Sequence, residues 1–420
     1  GYGEWKPTSG AGNEAVAYND YAYFSTPTDI FRLGRLSQTA PIIENWWVTG
    51  LGSSALVNTS YPSIRSIDYP NHVLHFHNDG KVYVADYDNA TGDSPHGGLI
   101  HWFKTSTDGS GSTVAFAALV LPPGFMPTAL ESFGTDLAIL CTPQVAAGGT
   151  SRTGNAALFL WDTINATYYR NIAIKEPTAT AMKNKNGQLF ILAGTMENDV
   201  KLLKYLGGDS FQTLCVINDG SPPPQSAIEV FGDAIMWGGN VTSPMDAAGV
   251  FSYGYRSGQL KPALHMPIRI KDSSSTLPIV TTVKSITRSS YPVVGWRTDT
   301  PANYGLDQIT NTGQTQASRW RTKVFNIGKP FRVRRIRIPL TNNITTGDSI
   351  VPTIYVDNQY GTTTLATINT TNYPNGRRII DINSLSVSGY SNFYIDFAFS
   401  GTNQLGFQFP ITIDIETDEL

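Results

Sequence analysis

The sequence predicts an all-β protein: a β-propeller of five to seven blades, six favoured, over residues 1–312, a linker at 313–318, and an antiparallel, jelly-roll-like β-sandwich over 319–420. Three observations predict it. No long stretch places apolar residues at the 3,4 spacing of a helix. Instead, short β-branched and aromatic runs alternate with turn clusters, and 39 Gly and 25 Pro are spread along the chain. A strand-like motif recurs every few tens of residues before residue 312. After it, apolar and polar residues alternate with a clean period of two. A chain of 420 residues is long enough to bury more than one core.

The recurring motifs are NDYAYF from Asn19, NHVLHF from Asn71, TDLAIL from Thr135, GQLFIL from Gly187, GDAIMW from Gly232 and SYPVVGW from Ser290, spaced 45 to 64 residues apart. Several are followed by a second strand: VYVADYD from Val82, ALFLWDT from Ala157, KLLKYLG from Lys201 and VFSYGYR from Val250. A repeat of this size is one supersecondary unit that buries its faces only by stacking on its neighbours, which is how propeller blades are built. The irregular spacing, with no WD series or kelch glycine pair, leaves the blade number open. A string of unrelated β-sandwiches is the competing architecture.

In the C-terminal part, VPTIYVD sets Ile354 and Val356 on one face and Thr353, Tyr355 and Asp357 on the other. Phe393, Ile395, Phe397 and Phe399 share a side, as do Phe407, Phe409, Ile411, Ile413 and Ile415, which is the pattern of sheets with one packed and one wet face. The strand RVRRIRI places Phe331, Val333, Ile336 and Ile338 inward, so the adjacent pair Arg334 and Arg335 requires a bulge between them. Arg332, Arg334, Arg335 and Arg337 are the candidate partner-contact residues. They read either as a surface for phosphate or an acidic partner, or as charges protecting an edge strand from unwanted pairing.

Composition excludes several classes. With 30 basic and 33 acidic side chains, no chain-wide field recruits nucleic acid or anionic membrane. The longest uncharged apolar stretch, Val114 to Met126, contains Pro122 and Pro123 and is too short to span a bilayer, so a soluble chain with no membrane insertion is expected. GYGEWK has no apolar signal core, and Gly at position 1 points to a longer or processed product. Cys141 and Cys215, in apolar runs, read as buried thiols rather than a disulfide. Six sequons, at Asn58, Asn89, Asn165, Asn240, Asn343 and Asn369, are weak signals in a chain rich in Asn, Ser and Thr.

Candidate chemistry is sparse. His75 and His77 share a strand face and bind zinc only if His96, His101 or Asp79 supplies a third ligand; no spacing supports that, so packing or surface roles are expected and no metal or cofactor is assigned. DYDNATGD, from Asp86 to Asp93, begins like a calcium loop without its glycine and glutamate and reads as an acidic turn. Ser106, Asp108 and Gly111 form a blurred Asp-box-like turn. No nucleophile elbow, P-loop, dinucleotide fingerprint or HExxH motif is present, and no catalytic residue is assigned. Trp46, Trp47, Trp102, Trp161, Trp237 and Trp296 could stack on sugars, which makes a carbohydrate-binding or glycan-cleaving propeller the alternative function, although blade cores claim tryptophan as readily.

The run WRTKVFNIGKPFRVRRIRIPL, Trp320 to Leu340, followed by PTIYVDN, Pro352 to Asn358, and preceded by a propeller-like array, resembles the C-terminal sandwich of nozzle or tail-hub propeller proteins in the virions of short-tailed bacteriophages. The resemblance covers roughly the last 130 residues in pattern and domain order, and it is a motif of packing rather than of chemistry. It implies a non-enzymatic virion subunit in a ring of copies, sixfold in that family, around the channel through which DNA leaves, docked on portal or adaptor proteins. A low charge density with 8 Trp, 20 Tyr and 19 Phe suits broad self-association. Residues 313–420 carry ten Lys or Arg against eight Asp or Glu, and the preceding residues 20 against 25, so the two parts are weakly complementary in sign.

Overall fold

The computed structural model describes residues 15–25, 30–34, 36–37, 42–47, 72–87, 97–106, 112–143, 154–218, 220–241, 249–255, 262–268, 279–284, 292–297, 304–309, 318–322, 324–357, 361–400, 406–408 and 410–417. The chain divides into two units, Gly1–Ile309 and Thr310–Leu420. Residues 313–317 of the expected linker lie outside the described residues, and Ser318 already opens a strand.

Among the described residues the first unit is six successive antiparallel sheets. The first joins β1 (Ala15–Tyr18), β2 (Tyr21–Ser25), β3 (Ile30–Gly34) and β4 (Ile42–Asn45). The second joins β5 (Val73–Phe76), β6 (Val82–Tyr87), β7 (Gly97–Thr105) and β8 (Ser112–Pro123). β9 (Phe125–Phe133), β10 (Asp136–Pro143), β11 (Ala157–Trp161) and β12 (Arg170–Ala173) make the third. β13 (Thr178–Lys185), β14 (Gln188–Gly194), β15 (Val200–Gly207) and β16 (Ser210–Ile217) make the fourth. In the fifth, β17 (Gly220–Ser221) and β18 (Ile228–Phe231) share one edge of β19 (Ala234–Val241), separated by a 3-10 turn at Gln225–Ala227; β20 (Gly249–Gly254) and β21 (Ala263–Ile268) complete it. β22 (Ile279–Lys284), β23 (Val293–Arg297) and β24 (Tyr304–Gln308) form the sixth.

Side-chain alternation proves the stacking. Along β6, Val82 and Val84 enter the core shared with the first sheet, whereas Tyr83 and Ala85 enter the core shared with the third. On β10, Leu137, Ile139 and Cys141 face the second sheet while Ala138 and Leu140 face the fourth. β14 sends Leu189, Ile191 and Ala193 one way and Phe190 and Leu192 the other. A strand with both faces apolar is satisfied only between two sheets, so among the described residues five cores separate six blades, and the unit is a β-propeller. Close approach is enforced locally: a Cβ on Gly239 would sit 2.0 Å from the Phe251 ring, which stacks on Trp237.

One phase assignment is corrected. Five of the six recurring motifs are the second strand of their sheet, but NHVLHF is the first, β5, and the second strand of that blade is VYVADY, β6. Both are short apolar runs at plausible distances. What separates them is burial, since β6 is buried at all six positions and β5 is not. Val114 to Met126 becomes β8 and the turn into β9.

The second unit packs two sheets. One orders β25 (Ser318–Arg321), β32 (Asn392–Ser400), β28 (Ser349–Val356) and β29 (Gly361–Thr364), with β26 (Phe325–Asn326) also on β32. The other is built on β27 (Phe331–Pro339), whose one edge is shared by β30 (Ile379–Ile382) and β31 (Val387–Gly389) and whose other edge pairs with β33 (Thr412–Thr417). Phe331, Val333, Ile336 and Ile338 meet Ile350, Ile354, Phe393, Ile395 and Phe397 in one core, making a β-sandwich. The expected inward sets are present, with Phe399, Phe407, Ile411, Ile413 and Ile415 partly buried; Phe409 lies outside the described residues. The alternation is less clean than expected on β32, where Tyr394 and Asp396 are buried as well.

Candidate functional site

The first strands of consecutive blades touch one another, β1 to β5, β5 to β9, β9 to β13, β13 to β18 and β18 to β22, so polar residues on them meet across blades at the inner end of the sheets. Lys183 on β13 reaches Glu131 of the preceding blade at 3.7 Å and Glu229 of the following blade at 3.5 Å. Gln225, in the turn that interrupts the first strand of the fifth blade, accepts from Met182 N–H at 2.7 Å and donates to Met182 O at 2.8 Å. One cation between two carboxylates, only partly exposed, makes a charged tie across three blades. Replacing Lys183 with Met is expected to cost about 1–3 kcal/mol in denaturant unfolding, because the buried Glu131 carboxylate loses its counter-charge. A change under about 0.5 kcal/mol would reduce the tie to a surface ion pair.

Beside it, His75 Nε2 and His77 Nδ1 both reach Ser132 Oγ of the next blade, at 2.8 and 2.9 Å. The far nitrogen of His77 lies 3.2 Å from Thr135 O, and Asn184 donates to Ser132 O at 2.7 Å. Of the third ligands considered from sequence, neither Asp79 nor His101 joins the pair. Asp79 is held by Tyr83 at 2.7 Å and Lys81 at 2.8 Å; burial would raise its carboxyl, but these partners outweigh burial and keep it below the usual carboxylate range. His101 is engaged elsewhere, and His96 lies outside the described residues. Among the described residues no group of three or more His, Cys, Asp or Glu side chains could hold a metal.

Asp86, expected in an acidic turn, is instead a buried anion and is corrected accordingly; residues 88–93 lie outside the described residues. His72 Nδ1 approaches it at 3.5 Å and His101 Nε2 at 3.8 Å, and Tyr87 N–H donates to it at 2.8 Å. Ala117 N–H donates to His101 Nδ1, so that ring carries its hydrogen on Nε2, the side facing Asp86. Burial pushes the Asp86 carboxyl up, but His101 and His72 together hold it down, to about 2. Sequence reasoning missed this cluster because its members come from three segments with no fixed spacing.

The arginine strand is corrected on one point and retained on another. β27 has partners on both edges, so the edge-protection reading fails. The bulge is where the alternation required it, between Val333 and Arg335 in the pairing with β33. Arg334 pairs with Glu416, Arg335 with Asp381 at 2.8 Å and Asp414 at 3.9 Å, and Arg337 with Asp381 at 3.9 Å. Arg332 donates to Ser388 Oγ at 3.4 Å. Neighbouring strands therefore supply much of the acidic complement, a cross-strand ladder that leaves four cations against three carboxylates on this face.

Of the tryptophans considered as sugar platforms, Trp46, Trp47, Trp161 and Trp237 are buried in blade cores, a correction; Trp102 and Trp296 are half-buried, the first under Lys81 at 4.7 Å and the second donating to Asp307 at 2.9 Å. Both cysteines are free, with burial pushing the Cys141 thiol well up and that of Cys215 to about 12. Gly111 and Asp108 of the Asp-box-like turn lie outside the described residues. No helix among the described residues is long and apolar enough to cross a membrane.

No protein-family model matches the chain, and no curated protein matches it. Among solved structures, an exo-β-1,3-galactanase from Phanerochaete chrysosporium with β-1,3-galactotriose is similar at 9% identity and a TM-score of 0.36, over 82% of this chain and 94% of that one. The six-bladed Aleuria aurantia lectin matches at 12% identity and 0.40, over 70% and 91%. The Dos1 propeller matches at 11% and 0.41, over 67% and 64%. Likenesses of this size assign neither family nor activity.

Proposed function

We propose that this chain is a structural virion component of a short-tailed bacteriophage tail, a nozzle or hub subunit that closes head-to-tail into a ring, six copies in the first instance, around the DNA exit channel and docks on portal or adaptor proteins. The observation that carries the reading is the place of the resembling segments. Trp320 to Leu340 supplies the end of β25, all of β26 and the central strand β27, and Pro352 onward lies in β28, so the residues of the resemblance belong to both sheets of the sandwich, after a propeller in chain order. The bridging of Glu131 and Glu229 by Lys183, which ties three blades together, suits a load-bearing scaffold. The subunit would be non-enzymatic, localised to the virion, and would contact DNA only in passage.

The excess charge of the arginine face is its contact surface for an acidic partner protein, with Arg332 the residue that can be changed at least cost to the ladder. Purified protein at high concentration is expected to form ring-shaped particles by negative-stain microscopy, and Arg332→Gln, which removes the charge without setting an anion opposite Glu416, is expected to weaken assembly at least tenfold by sedimentation while leaving the unfolding midpoint in place. A strictly monomeric species under all conditions, or specific signals on a glycan array, would overturn the reading in favour of a glycan-active propeller. Salt-sensitive duplex affinity lost on charge reversal with assembly intact would reassign the face to DNA.

A further inference from the structure

We propose that one end of the third and fourth blades is the surface on which a second copy of this chain docks, through the arginine face of that copy's sandwich. This docking presupposes the ring of copies proposed above and names the two surfaces that meet in it. In an antiparallel blade the first-to-second and third-to-fourth connections lie at the same end, so the loop between β11 and β12 and the turn between β15 and β16 are neighbours there. Arg170 joins them, reaching Asp209 of the next blade at 3.2 Å. Three large apolar side chains stand out at this end: Ile164 is 88% exposed, and Tyr169 and Leu206 are each 57% exposed.

These side chains are presented on fixed backbone. Asp162 accepts from Ile164 N–H at 3.0 Å and from Asn165 N–H at 2.9 Å, and the Trp161 indole donates to Asn165 O at 2.6 Å, so Ile164 is held out to solvent by a closed turn. Gly207 and Gly208, with φ of +90° and +59°, make the second turn, and Tyr205 donates to Gly208 O at 3.0 Å. Tyr169 is fixed by its bond to Asp136 at 2.6 Å. Apolar groups that are already ordered lose little freedom on binding and serve as anchors, and their clustering marks an interaction surface. Charge selects the occupant. The connections of these two blades carry Asp136, Asp162 and Asp209 against Arg170 and Lys185, and Lys185 is directed to Asp233 O of the fifth blade. The arginine face has the opposite balance, four cations against three carboxylates, and half-exposed Ile379 beside Pro339 gives it an apolar end. Two unlike surfaces that fit each other on one chain make a head-to-tail contact, the kind that closes into a ring.

Sedimentation of the full chain tests the pairing. Ile164→Ser and Asp209→Lys alter exposed side chains, so the unfolding midpoint should stay in place while self-association weakens at least about tenfold, the effect of losing an interface anchor or reversing an interface charge. Arg332→Gln impairs the other surface. Mixed in equal amounts, Ile164→Ser still offers a sandwich face and Arg332→Gln still offers an intact blade end, so the two should form a one-to-one dimer that grows no further. Wild-type assembly in folded Ile164→Ser and Asp209→Lys overturns the docking surface and leaves the ring standing. Weakened assembly of each variant with no dimer in the mixture also overturns it, because the two surfaces then do not meet each other. A wild-type chain that stays monomeric removes the ring and this docking together.

Discussion

Replacing Asp86 with Ala is expected to lower the stability of the propeller by about 3–5 kcal/mol at neutral pH, the usual cost of removing one member of a buried charged cluster. The carboxylate is 3% exposed, and its loss would leave His72, His101 and the Tyr87 N–H facing a void. Asp86→Asn keeps the shape and one acceptor oxygen and should cost less. The pH dependence has a definite sign. The carboxyl titrates at about 2 when folded against about 3.9 unfolded, so its contribution is complete above about pH 5 and is lost as the pH falls towards 2, amounting to about 2–3 kcal/mol. The gap between wild type and Asp86→Ala, measured by urea unfolding, should therefore narrow over that interval. A gap that is flat across it, or widest at pH 2, would show that the imidazoles do not stabilise the anion.

The parts of the molecule that alternate regularly were legible in the sequence. Phe331, Val333, Ile336 and Ile338 fixed both the inward face of β27 and the bulge beside Arg334, because a period of two leaves no other arrangement for two adjacent arginines. Blade stacking was legible for the same reason: runs such as LAILC are apolar on both faces and need two sheets to cover them. Pairing partners were not. RVRRIRI reads identically as an edge or a central strand, and only the return of Thr412–Thr417 to one side and Ile379–Ile382 to the other decides it. Sites built across blades were equally hidden. His75 and His77 announced themselves by spacing, but Ser132 lies 55 residues further on and carries no signal of its own. Asp86 reads as part of a turn in the sequence because its histidines sit 14 and 15 residues away on either side, set by the blade hairpins rather than by any motif.

Trp161→Ala is expected to be comparably damaging, at about 3–5 kcal/mol, and it separates the structural reading from the sugar-binding one. Trp161 is 2% exposed in the core between the second and third blades, edge-on to Tyr83 at 5.8 Å, and its indole N–H donates to Asn165 O at 2.6 Å. Truncation removes a large apolar surface from a close-packed seam and deletes the indole hydrogen bond to Asn165 O, at the end of the turn in which Asp162 accepts from Asn165 N–H. Trp161→Phe refills most of the volume without the hydrogen bond and should fall between the two. Half-buried Trp102, covered by Lys81, provides the contrast: its replacement by Ala should cost roughly 1 kcal/mol from the lost cation–π contact and part of its packing. A sugar platform behaves the opposite way, since a stacking indole must be exposed and its removal abolishes glycan binding with the unfolding midpoint unchanged. An unchanged midpoint for Trp161→Ala in thermal unfolding would thus remove this side chain from the blade seam and count against the packing described for β10 and β11.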